Sequence, residues 1–184
     1  MNSLLCTLRA AARQWQLAAM ALLAASLLPA QNPTTRAPEL PAGCEDLRVP
    51  AGHVVSFHTY AVGFQVYQWN ATTNAWQFLR PEAVLFANAG FHQPIGVHFV
   101  GPTWTSVSGS TVVGSFYAGR VVDPTAIPWL RLSVVQAYGP GPFASTTWIQ
   151  RVNTAGGKAP AYVGQPGETV WVPYTAEYFF YRAL

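Results

Sequence analysis

Glycine and proline are spread so evenly along this chain that long helices have little room to form. All 15 glycines and all but one of the 15 prolines lie beyond residue 30. Between them recur short runs rich in Val, Tyr, Phe, Trp and Thr, the residues that suit a pleated, half-buried strand. The runs also alternate. Leu130, Leu132 and Val134 fall on one face of a strand, with Arg131 and Ser133 on the other. Phe64, Val66 and Gln68 likewise oppose Gln65, Tyr67 and Trp69.

Taking each break as a strand end predicts about ten short strands. Separate strands are expected on either side of Pro81 and of Pro173, with Asn70 to Asn74 as a hairpin loop. Gly101-Pro102-Thr103-Trp104 is expected as a rigid turn. The expected fold is all-β, a single antiparallel β-sandwich or β-barrel. The pattern alone does not choose between the two.

The N-terminus has a different composition. Arg9 and Arg13 precede an apolar run from Leu17 to Leu28, and Pro29-Ala30 gives way to Gln31-Asn32-Pro33-Thr34-Thr35. A basic start, a short apolar stretch and a small residue before a polar break describe a signal peptide over residues 1–30. The apolar run is too short for a spanning helix, which needs about 20 residues. The expected product is an exported chain, periplasmic, cell-envelope or extracellular, with no stable membrane insertion once the leader is cut. Residues 31–43, with Pro33, Pro38 and Pro41, read as an extended linker ahead of one β domain over 44–184.

Cleavage changes the charge. The full chain carries a formal +3, but losing Arg9 and Arg13 leaves eight basic residues against seven acidic ones, a net +1. Those eight are scattered singly, whereas a protein that tracks phosphates needs a clustered basic stripe. Nucleic acid is therefore not an expected partner. Cys44 is the only thiol after residue 30, so no intrachain disulfide is expected in the exported chain. Glu45 and Asp46 beside it disfavour a reactive thiolate.

Motifs for known chemistry are absent. No G-x-G-x-x-G lies between a strand and a helix, and Gly156-Gly157-Lys158 runs into Ala159-Pro160 where a phosphate loop needs Ser or Thr. No G-x-S-x-G elbow occurs. The four histidines form no H-x-H or H-E-x-x-H pair, so neither a metal site nor a cofactor is expected. One looser constellation remains. Glu82, His98 and Arg151 could do acid–base work or hold a polar ligand if the fold brought them together.

Aromatic residues supply the other signal, at 14% of the chain. In a β domain most fill the core. Gln65 and Tyr67 share a strand face, Gln150 shares one with Trp148, Trp104 follows a rigid turn, and Asn153 leads into the Gly156-Gly157 loop. Gln65, Tyr67, Trp104, Gln150 and Asn153 are the candidate ligand-binding residues, since aromatic and amide surfaces suit sugar rings. Asn70-Ala71-Thr72 is a glycosylation sequon in an expected turn, meaningful only in a eukaryotic secretory route.

Several strings in order resemble domain-of-unknown-function family 3455, exported proteins of bacteria and fungi. They include Gly63-Phe64-Gln65-Val66-Tyr67, Pro81-Glu82-Ala83-Val84-Leu85, Gly96-Val97-His98 and Ile127-Pro128-Trp129-Leu130. The run from Ile149 to Pro160 and that from Pro173 to Tyr181 complete the series. The resemblance brings no established activity with it. Some relatives carry cysteine where this chain has Trp69 and aspartate where it has Ser108, so no disulfide or carboxylate role carries over. The leading expectation is a binding or structural module for a neutral polar ligand such as a glycan. The alternatives are a hydrolase or isomerase using His98 and Glu82, and a purely structural envelope protein.

Overall fold

A computed structural model describes residues 36–184; the expected signal peptide and the first residues of the expected linker lie outside them. Eight strands follow in chain order: β1 (His53–Asn70), β2 (Ala75–Phe86), β3 (Pro94–Phe99), β4 (Thr103–Ser106), β5 (Thr111–Arg120), β6 (Trp129–Tyr138), β7 (Trp148–Gly156) and β8 (Thr169–Ala183). Each pairs antiparallel with its neighbour in sequence, and β8 returns to pair with β1. The sheet is a closed up-and-down barrel. Eight strands enclose an interior just wide enough for packed side chains or one small ligand.

The all-β expectation holds, and the geometry is the barrel. The strand count is corrected from about ten to eight. Breaks that the strands run through account for it, because Pro81 lies inside β2, Pro173 inside β8 and Gly63 inside β1, three divisions offset by the unexpected β4. Proline is tolerated in a strand where its missing N–H has no ladder partner to lose. Pairing of β2 with β3 begins only at Ala83, and pairing of β8 with β7 ends at Tyr174. Pro81 therefore keeps a strand partner on one side alone, and Pro173 meets the β7 side only through its carbonyl, which accepts from Gly157 N at 2.8 Å. The opposite error concerns β4: Gly101-Pro102 makes the turn, but Thr103-Trp104 already belongs to a strand that pairs with β3. The Asn70–Asn74 hairpin closes as expected, with Asn70 opposite Ala75.

Alternation along the strands sorts buried side chains into two clusters. The first draws on all eight strands and fills the barrel: Ala61, Leu85, Trp104, Val112, Leu132, Ile149, Tyr178 and Phe180 are members, with Ile95 of β3 packed against them. Phe143, from the β6–β7 connection, plugs one end and packs on Phe57 and Phe180. The second cluster lies outside the wall, where Val55, Trp129, Val152, Phe179 and Tyr181 are roofed by Leu40, Cys44, Leu47 and Val49. Polar contacts fasten this roof. Gln150 Nε2 donates to Leu47 O at 2.6 Å, Arg131 donates to Arg48 O, and Arg120 pairs with Asp46 at 2.9 Å. Arg131 also stacks over the Tyr117 ring, 4.1 Å from its centroid.

Candidate functional site

The end of the barrel opposite Phe143 is not filled. There the β3–β4 and β5–β6 connections, through Gly101, Pro102, Ile127 and Pro128, border a cavity of about 530 Å³, within the range of small-molecule sites. The loop leading to β6 overhangs it. Ile127 N donates to Gly156 O at 2.9 Å and Thr154 Oγ1 donates to Ile127 O at 2.6 Å, which sets Ile127 and Pro128 at the rim. Leu130 and Leu132 of β6 and Leu79 of β2 complete an apolar wall.

Five of the eight residues singled out in the sequence line this cavity: Gln65, Tyr67, His98, Trp104 and Arg151. The β3–β4 hairpin places His98 directly opposite Trp104, and their rings stack at 4.2 Å with an interplanar angle of 3°. Tyr178 of β8 meets both rings edge-on. His98 Nδ1 lies 2.9 Å from Thr103 O; a carbonyl can only accept, so Nδ1 carries the proton and Nε2 keeps its lone pair. Burial pushes the imidazole down to about 3, and the positive charge of Arg151 adds to this against the bond to Thr103. His98 is therefore neutral at ordinary pH. Burial likewise raises the phenols of Tyr67 and Tyr178.

Arg151 contributes the cavity's one charge. Its Nε and Nη2 both donate to Pro128 O, at 3.1 and 2.9 Å, and among the described residues it has no ion-pair partner. Two further donors are unsatisfied. Gln65 Nε2 and Trp104 Nε1 are buried without a hydrogen-bond partner in the protein, although Trp104 is only 1% exposed. Tyr67, by contrast, is satisfied through its hydroxyl, which donates to Gly157 O at 2.7 Å.

The other three candidates lie elsewhere, two by strand parity and one by a bulge. Glu82 follows the cavity-lining Pro81, so it faces outward, where it binds Arg80 at 2.6 Å. Gln150 precedes Arg151 and so points out of the barrel, beneath the N-terminal roof, accepting from the Tyr181 hydroxyl. Asn153 sits at a bulge between Val152 and Ala155 with φ 49°, and its amide donates outside the cavity to Glu177 Oε1 at 2.9 Å. The expected grouping of Glu82 with His98 and Arg151 thus divides: His98 and Arg151 line the barrel-end cavity, while Glu82 meets His98 only at a separate outer-face pocket. Sequence reasoning missed Tyr178, although its alternation with Tyr174 on β8 marks one inward face. Among the described residues no three His, Cys, Asp or Glu side chains come together to hold a metal ion.

Fold and cavity together define a small closed β-barrel with one ligand-sized chamber at its open end. The family described as "Protein of unknown function (DUF3455)" matches residues 50–182, and the chain belongs to it. No curated protein and no solved structure matches the chain.

Proposed function

We propose that the protein is an exported binding module that holds one ring-sized small molecule in the barrel-end cavity. The observation that carries this reading is Arg151, the one charged side chain lining the chamber, which has no ion-pair partner among the described residues. Phe78, Leu79 and Pro128 offer accessible apolar surface to a ring, whether aromatic or sugar, so a small glycan remains within the class. Binding is favoured over catalysis by the lining, which contains no Ser, Thr, Cys, Asp, Glu or Lys side chain. A neutral imidazole without a carboxylate or nucleophile beside it is a poor acid–base centre.

Filling the chamber tests this directly. Ligand-observed NMR with benzyl alcohol, glucose, benzoate and glucuronate is expected to show saturable binding of at least one probe to the wild type. Leu130→Trp, at a half-buried lining position, is expected to weaken that binding at least about tenfold. Binding that is unaffected by the filled cavity, or no binding of any probe, overturns the proposal. Export rests on residues 1–30, and the secreted chain is expected to begin at Gln31 by intact mass. A secreted chain that retains Met1 would contradict cleavage.

A further inference from the structure

The charge inventory of the chamber narrows the class of ligand. The seven acidic residues of the chain are Glu39, Glu45, Asp46, Glu82, Asp123, Glu168 and Glu177, and none of them lines the cavity. Several are engaged elsewhere: Glu82 with Arg80, Asp46 with Arg120, and Glu177 with His58. His98 is uncharged, so the chamber presents a single positive charge.

The hydrogen bonds of Arg151 fix which part of the guanidinium is free. Its Nε–H and one Nη2–H converge on the single carbonyl of Pro128. That occupies one edge of the fork and holds the planar group in place. The other edge, with Nη1 and the second hydrogen of Nη2, has no carboxylate partner among the described residues, and the Tyr178 hydroxyl lies close enough to the guanidinium to accept from it. Two parallel N–H groups on a fixed plane match the two oxygens of a carboxylate. One positive charge matches one negative charge.

We infer that the cavity binds a ring-bearing monocarboxylic acid, its carboxylate on the Nη1–Nη2 edge of Arg151 and its ring against the accessible wall of Phe78, Leu79 and Leu130. The inference rests on the reading of the cavity as the binding site and adds the acid group to it. Apolar walls around the pair strengthen the contact relative to water. The carboxylate could belong to an aromatic acid or to a sugar acid, and the two share the chemistry that Arg151 reads.

The test is calorimetric titration of the full exported chain at pH 7 with four probes. Benzoate is compared with benzyl alcohol, and glucuronate with glucose. At least one acid is expected to bind about tenfold or more tightly than its neutral counterpart, and the pair that shows this identifies the ring. Arg151→Met is expected to abolish that preference. Should Arg151→Met fail to fold, Arg151→Lys decides the matter, because it keeps the charge without the planar fork. It is expected to lose at least about fivefold of the preference.

Equal affinity for acid and neutral compound overturns the inference while the cavity reading stands. So does a preference that survives both variants. Failure of every probe, or binding indifferent to Leu130→Trp, removes the cavity reading itself.

Discussion

Gly63→Ala is expected to destabilise the barrel by about 3 kcal/mol, far more than one added methyl group usually costs. Gly63 stands opposite Ala83 of β2 and Tyr174 of β8, where three strands meet. A Cβ at this position would lie 2.1 Å from the Glu82 carbonyl oxygen and 2.5 Å from the Ala83 Cα. Both are backbone atoms, so no rotamer change can relieve the overlap. Relief requires β1 and β2 to part, and in a closed barrel that displacement propagates to β8. Chemical denaturation of the variant checks this, with the midpoint expected to fall at constant slope. A midpoint equal to wild type would mean that the two strands do not approach so closely.

Acidification is expected to weaken the fold well before carboxylates titrate, and His98 is the reason. Its folded value of about 3 lies far below the ordinary 6.5, so between those values the unfolded chain binds the proton and the folded chain does not. Stability then rises with pH. It is fully present above about 6.5 and is lost on acidification at about 1.4 kcal/mol per pH unit. From pH 6.5 to pH 4 the loss is about 3 kcal/mol. His58 acts in the same direction, because its burial outweighs the bond to Glu177. The carboxyls of Glu45 and Asp123 are also lowered, but they lose their contribution only near and below their ordinary value. The interval from about pH 4.5 to 6.5 therefore isolates the histidines. Denaturation at a series of pH values should show a shallower acid slope in His98→Gln than in wild type. An identical slope would show that His98 does not stay neutral in the fold.

Much of the architecture was legible because period-two alternation survives wherever one strand face meets the barrel interior and the other meets water. Leu130, Leu132 and Val134 are a clear instance, all packing inward. The pattern blurs on β7, where Ile149 faces the interior cluster while Trp148 and Val152 pack into the outer one. The N-terminal roof buries the outer face there, so Gln150 and Arg151 look equally eligible for a site. Their one-residue offset nevertheless puts them on opposite sides of the wall. The prolines misled for a related reason: whether Pro81 breaks a strand depends on where β3 begins to pair, a non-local fact. With β2 divided at Pro81, the parity that turns Glu82 outward could not be followed. His98 and Trp104 are neighbours because a tight turn joins their strands, whereas Tyr178 reaches them only through barrel closure.

The central claim is that the barrel end is a chamber for a ring-bearing acid held by Arg151. Its most direct measurement is a crystal structure of the protein with 4-bromobenzoate, located by the anomalous signal of bromine. The account expects the bromine inside the cavity and both carboxylate oxygens within hydrogen-bonding distance of Arg151 Nη1 and Nη2. Bromine found only on the outer face, for example beside the exposed Phe64 and Val97, would contradict it. So would a carboxylate turned away from Arg151.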